Sequence, residues 1–200
     1  MARRRELWTE SEPGANPFAL PRGLIGHLAG WIMARANRAQ NTEVAGFLGI
    51  GDEEDVLEVG HGPGVLIELL ARHRGVTVTG VDPSSEMVRM ALRRNAEAAR
   101  AGRVRVRRAG AQATGCEDAS MDLVVSVNTV AMWPSLDDCL AEFHRVLRPG
   151  GRSVITWHRR PARFALTVEE LSTVEEAVRK RFGAAERHEL PSSVVFGATK

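Results

Sequence analysis

Two cysteines, Cys116 and Cys139, are all that the 200 residues contain, and no second Cys or paired His stands near either at metal-ligand spacing. This scarcity excludes a zinc site or a disulfide framework as the basis of the fold, and it fits a reducing compartment. Long apolar runs are lacking as well. The stretch 24–33 is interrupted by Gly26, His27 and Gly30 and falls short of the roughly 18 apolar residues a membrane span needs. Arg3-Arg4-Arg5 is followed by Glu6, Glu10 and Glu12, where a signal peptide would require an unbroken apolar segment. The expected location is therefore the cytoplasm. Neither charge is in excess: 27 basic and 25 acidic residues leave a net charge of +2, too balanced to imply nucleic acid or an anionic membrane as a partner. No internal repeat is visible.

What the chain does have is a regular alternation. Its content of 44% apolar and 26% charged residues is ordinary for a globular domain. Strand-like and helix-like segments then alternate from about residue 55 to 158, which predicts an α/β fold with a mainly parallel sheet. Strands are expected at 55–59, 76–81, 104–108, 122–127 and 153–157, and helices at 65–74, 84–101 and 136–147. Thr167 with Glu170 reads as a capping box before a helix carried by Leu171, Val174, Val178 and Phe182, and 194–198 reads as a last strand. Ahead of these, residues 24–48 suggest one or two helices broken near Asn41-Thr42, and 1–21, with Pro13, Gly14, Pro17 and Pro21, are expected to be extended. The expected organisation is an N-terminal extension over 1–48, whose helices cover the active site, and a ligand-binding domain over 49–200, together one compact unit.

The glycine-rich turn Gly60-His61-Gly62-Pro63-Gly64 follows directly on the first strand and precedes a helix. In open α/β sheets this is where ligands bind, and glycine lets the backbone turn tightly and approach a ligand closely. Asp82 ends the second strand 22 residues after Gly60, about the separation at which an acidic residue meets ribose hydroxyls; alone it would read as a turn former ahead of Pro83. Dinucleotide folds require Gly-x-Gly-x-x-Gly or Ala, but the corresponding last position is Val65. Glu58 lies two residues before the first glycine, where a carboxylate would repel a pyrophosphate but could hold an ammonium group.

Four blocks carry a family resemblance: Val56-Leu57-Glu58-Val59-Gly60-His61-Gly62-Pro63-Gly64, Gly80-Val81-Asp82-Pro83-Ser84-Ser85-Glu86-Met87, Asp118-Ala119-Ser120-Met121-Asp122-Leu123-Val124 and Phe143-His144-Arg145-Val146-Leu147-Arg148-Pro149-Gly150-Gly151. In these the chain resembles the class I S-adenosylmethionine-dependent methyltransferases, specifically the branch of the ubiquinone and menaquinone biosynthesis enzymes, with a methyltransferase type 11 domain. The resemblance implies a Rossmann-like, mainly parallel seven-stranded sheet flanked by helices, with S-adenosylmethionine as cofactor. It also implies that Glu58, Gly60, His61, Gly62 and Gly64 surround the methionine part, that Asp82 holds the ribose, and that Pro83 and Met87 face the adenine. Asn128, ending strand four, would line the methyl-transfer pocket. One position departs from the pattern: where relatives carry an acidic residue to accept from the adenine amine, this chain has Gly110, followed by Ala111, whose amide can reach a ring nitrogen, and Gln112.

Methyl transfer from a sulfonium needs positioning and exclusion of water, and a general base only for a protonated acceptor. His27, His61 and His158 are candidates by type, with His61 equally readable as a solvent-facing turn residue and His158 as a loop residue without a role. Trp133, Trp31 and His27 could wall an acceptor pocket, or the tryptophans could be core. Arg103, Arg105 and Arg107 share one face of a short strand without interleaved aromatics, as a solvated edge would, so no nucleic acid is expected. The acceptor is expected to be a small molecule, with no metal. A nicotinamide-dependent oxidoreductase and a noncatalytic binder of the cofactor or its demethylated product are the rival readings. A homodimer is left open.

Overall fold

The aliphatic runs pair side by side to make the frame of the molecule. The computed structural model describes residues 7–8, 38–162 and 165–200. Its strands are β1 (Asp55–Val59), β2 (Thr77–Asp82), β3 (Val104–Arg108), β4 (Met121–Val127), β5 (Leu147–His158), β6 (Glu186–Glu189) and β7 (Ser193–Thr199). They form one sheet in the order β3-β2-β1-β4-β5-β7-β6. The first five strands in that order run parallel, and β7 is antiparallel to both β5 and β6. Among the described residues the helices are α1 (Arg38–Leu48), α2 (Val65–Leu70), α3 (Ser85–Arg94), α4 (Ala96–Arg100), α5 (Leu136–Val146) and α6 (Val168–Phe182).

Because successive strand residues face opposite ways, the sheet builds two cores. Val56, Val78, Leu123 and Val125 meet Val44 and Leu48 of α1 and Leu66, Ile67 and Leu70 of α2. Leu57, Val124, Ile155 and Phe196 meet Leu140 and Phe143 of α5 and Val174 and Val178 of α6 on the other side. Each such fully buried aliphatic or aromatic side chain stabilises the fold by about 1.5–3 kcal/mol. α1 therefore shares the core of the domain that follows it.

The sheet and its helices match the architecture expected, and the departures have local causes. The break expected near Asn41-Thr42 is absent: α1 runs through it, with the Thr42 hydroxyl donating to the Arg38 carbonyl at 2.9 Å. The single helix expected over 84–101 divides at Asn95, whose amide donates to the carbonyls of Ala91 at 2.9 Å and Gly64 at 3.1 Å. β5 starts earlier than expected, at Leu147. It absorbs Pro149-Gly150-Gly151 as an irregularity in its pairing with β4, and the Gly150 N–H donates to the Lys200 carbonyl at 2.8 Å. β6 is the seventh strand that the resemblance implies and that no segment of the sequence marks. Its residues, Glu186, Arg187, His188 and Glu189, are all exposed, so no apolar alternation marks it; it forms by pairing on the edge of β7.

Candidate functional site

β1, β2, β4 and β5 end on one edge of the sheet, and the glycine turn is held there from below and behind. Gly60 N–H donates to the Val81 carbonyl at 2.8 Å, and Gly64 N–H closes the turn on the His61 carbonyl at 3.0 Å. Gly60, Gly62 and Gly64 have φ of +75°, +52° and +76°, a region that side chains disfavour. Their spatial reasons differ. A Cβ on Gly60 would lie 2.3 Å from Thr129 Cγ2, and one on Gly64 would lie 2.8 Å from Ala91 Cβ. These two glycines let the turn press against its own protein. A Cβ on Gly62 would meet nothing within 4 Å, so only this glycine borders open space. Gly62→Ala is accordingly expected to lose about 1–2 kcal/mol from backbone strain alone, read as a lower urea midpoint at unchanged m-value. A loss above about 4 kcal/mol would show that the turn meets a packing obstacle there as well.

The acidic residues at this edge are buried. Glu58 is 3% exposed, and its Oε2 has no hydrogen-bond partner. Burial, and then the neighbouring Asp82 charge, push its carboxyl well above the usual range, against a single hydrogen bond from the Ile67 backbone in the first turn of α2. Asp82 accepts from Gly62 N–H at 2.9 Å through Oδ2 and from Ser84 N–H at 2.8 Å through Oδ1. It is thus a turn former in fact, with one further lone pair on each oxygen. Burial raises its pKa, while His61 and these two N–H donors pull the other way.

The alternative reading of His61 as a solvent-facing turn residue is corrected: the residue is 4% exposed. Gly80 makes the room, since a Cβ there would lie 3.0 Å from His61 Cδ2 and 2.6 Å from Ile67 Cδ1. His61 Nδ1 lies 2.7 Å from the Gly62 carbonyl, so Nδ1 carries a proton, while the buried Nε2 is unpartnered. Burial lowers the imidazole pKa although Asp82 opposes it. The ring supports the turn from beneath.

The other expected residues fall in different places. Pro83 is exposed and Met87 is buried. Gly110 and Ala111 follow β3 beside the tip of β2, where Ala109 N–H donates to the Asp82 carbonyl at 3.2 Å. Asn128 directly follows β4, with φ of +60°. Its carboxamide is committed to a reciprocal pair with Gln40 of α1 at 2.8 and 3.1 Å, and Gln40 also donates to Ser193 Oγ at 2.9 Å. Trp133, one of the pocket-wall candidates, is packed into the core instead: its ring meets Phe143 edge-on at 5.1 Å, and its indole N–H donates to Thr129 Oγ1 at 3.0 Å. His158 ends β5 at the same edge, its ring 4.7 Å from that of Trp157. His27 and Trp31 lie outside the described residues.

Several residues at this edge escaped the sequence reading. Thr129 links the glycine turn, Ser126 and Trp133. Gln40 ties α1 to the exit of β4. Trp8, in a stretch expected to be merely extended, donates its indole N–H to the Val130 carbonyl at 2.7 Å. Only the last had a signal, a lone tryptophan in a polar segment.

A family model described as a methyltransferase domain matches residues 57–155. The chain is 32% identical over 136 residues to an uncharacterized methyltransferase of Bacillus subtilis, a match that covers 68% of this chain and 73% of that protein. It is 34% identical over 113 residues to the ubiquinone/menaquinone biosynthesis C-methyltransferase of Geotalea daltonii, covering 56% of this chain and 48% of that one. The chain thus spans about half the length of the second relative. Among solved structures, a methyltransferase from Aquifex aeolicus dependent on S-adenosylmethionine superposes with a TM-score of 0.69 at 17% identity, over 85% of this chain and 96% of that one.

Proposed function

Since the chain belongs to the methyltransferase domain family of S-adenosylmethionine-dependent enzymes, we propose that it methylates a small-molecule acceptor at the edge formed by β1, β2 and β4. The observation that carries the site is Glu58: a buried carboxylate with an unpartnered oxygen is completed by a cation, and an amino acid's ammonium supplies one. With Asp82 beside it, the edge carries two acidic groups. That arrangement suits an amino acid joined to a ribose and repels a pyrophosphate, so the nicotinamide reading is not favoured. The open space over Gly62 leaves room for the ligand to lie against the backbone.

When bound, S-adenosylmethionine supplies an electrophilic methyl group on sulfur, so the protein's share is positioning and exclusion of water. Glu58 fixes the amino-acid end and Asp82 accepts from the ribose hydroxyls. The turn holds its shape through His61, Thr129 and Asn95. Trp8 and, from α1, Gln40 border the acceptor side, a role supported by the contacts of Trp8 with Val130 and of Gln40 with Asn128. His158 stands at the same edge and is the candidate to receive a proton from the acceptor. The name of the Geotalea relative, a ubiquinone/menaquinone biosynthesis C-methyltransferase, supports the small-molecule class.

We place the protein in the cytoplasm. Cys116 and Cys139 are buried free thiols, and burial pushes Cys139 up to about 12, so this thiol is unreactive at neutral pH. Among the described residues no helix is long and apolar enough to cross a membrane.

S-adenosylhomocysteine is expected to raise the melting temperature, because a ligand that binds only the folded state stabilises it by about 2.7 kcal/mol at one hundred times its Kd. An unchanged melting temperature at millimolar ligand, for protein shown to be folded, would defeat the proposal. A labelled methyl group recovered in a small-molecule product separates an enzyme from a noncatalytic binder.

A further inference from the structure

We propose that Gln112 accepts the hydrogen bond of the adenine amine, standing in for the carboxylate that is missing at Gly110. The proposal rests on the cofactor reading above, which puts the ribose at Asp82 at the tip of β2. The base attached to that ribose then lies outward, over the exit of β3, because β3 is the neighbouring and outermost strand and Ala109 is tied to the Asp82 carbonyl.

The geometry of that exit singles out Gln112. Residues 110–113 form a tight turn closed by Ala113 N–H donating to the Gly110 carbonyl at 3.3 Å. The turn folds the Gln112 side chain back across Gly110. A Cβ on Gly110 would lie 2.7 Å from Gln112 Oε1, 3.2 Å from Cδ and 3.3 Å from Nε2. The carboxamide therefore fills the volume that any side chain at 110 would enter. Gly110 is not in the left-handed region, so backbone conformation does not require glycine there. The two residues share one space: no side chain stands at 110, and the end of the exposed Gln112 side chain, able to swing aside, brings an amide oxygen to the same place.

The chemistry is suited to the role. The exocyclic amine of adenine is a donor, and the oxygen of a carboxamide accepts as a carboxylate does, without adding a third negative charge to an edge that already holds Glu58 and Asp82. The turn is also fixed from behind, since Thr114 N–H and Oγ1 both donate to Glu142 of α5, at 2.8 and 2.6 Å. The backbone beneath the acceptor is thus already ordered, and only the glutamine side chain is immobilised when the base arrives.

The test is calorimetric titration of the intact protein with S-adenosylhomocysteine and with its purine analogue, which lacks the amine. The wild type is expected to prefer the adenine ligand by about 3- to 10-fold, the worth of one net hydrogen bond. Gln112→Ala should remove that preference by weakening the adenine ligand alone. Gly110→Asp should restore it in the Gln112→Ala background, yet add little to the wild type, where the new side chain merely displaces the glutamine. Equal affinity of wild type and Gln112→Ala for S-adenosylhomocysteine, or equal losses for both ligands, overturns the proposal. Failure of folded wild type to bind S-adenosylhomocysteine at all overturns the underlying cofactor reading instead.

Discussion

Glu58→Gln is expected to weaken S-adenosylhomocysteine binding by about 2–3 kcal/mol, roughly 30- to 150-fold, while leaving the unliganded protein as stable as before or more so. The two effects have one origin. Glu58 is buried with one oxygen unpartnered, which disfavours its charged form in the empty protein and favours it once an ammonium is present. An acid whose pKa is raised on folding binds more protons in the native state than in the unfolded one. The stability this gives is fully present below the unfolded value and is lost as pH rises through the folded value. Glu58 is raised, by burial first and by Asp82 second, so through this group the unliganded protein loses stability on going from acid towards neutral pH. Ligand affinity should move the opposite way, rising with pH over the same window with release of a proton. Titrations in two buffers of different ionisation enthalpy measure that proton, and chemical denaturation at several pH values measures the stability. A glutamine variant that binds like the wild type would remove Glu58 from the site.

Glu142→Ala should produce the largest loss of stability, about 2–3 kcal/mol, because it leaves the buried Thr114 donors without an acceptor, whereas the Arg145 side chain, 37% exposed, can turn to water. Glu142 takes two hydrogen bonds from Thr114 and two from Arg145, the latter at 2.7 and 2.8 Å. Arg145 also donates to the Cys116 carbonyl at 2.8 Å and pairs with Asp118. The whole connection from β3 to β4 is thereby clamped to α5. Burial works against the charge on Glu142, but Arg145 and Thr114 outweigh it and hold the carboxyl below its usual value. The sign is therefore opposite to that of Glu58: this stability is present above the unfolded pKa and disappears as pH falls through the folded one. Urea denaturation of the variant checks the magnitude. A loss under about 1 kcal/mol would show that Thr114 finds another acceptor and that the clamp is dispensable.

Both residues show what could be read in advance. Glu58 and Asp82 were visible because a glycine turn after an apolar strand, and an acidic residue ending the next strand, constrain their surroundings through chain geometry alone. The central strands and α6, with its capping box at Thr167 and Glu170, were visible because apolar period and cap chemistry are local. Glu142 was not, since its partner Thr114 is 28 residues away and an acidic residue on an amphipathic helix ordinarily faces water. Asn128 lay where expected, but nothing local pairs it with Gln40. Trp133 offered the same hydrophobic signal whether it faced a ligand or the core, and only its contacts with Phe143 and Thr129 decide between them. The charged strand β6 has no pattern of its own because a pairing edge, rather than burial, creates it.

The division of one helix at Asn95 reaches further than the helix. The same carboxamide that ends α3 grips the Gly64 carbonyl, and Arg94 beside it donates to the Pro63 carbonyl at 3.0 Å. The glycine turn is thus tethered at its far end to a second helix, and at its near end to the tip of β2, before any ligand arrives. A loop held at both ends has little conformational freedom left to surrender. Ligand entry at this end of the site then resembles a key meeting a cut lock, a single encounter whose speed is set by access from solvent rather than by waiting for the backbone to fold around its guest.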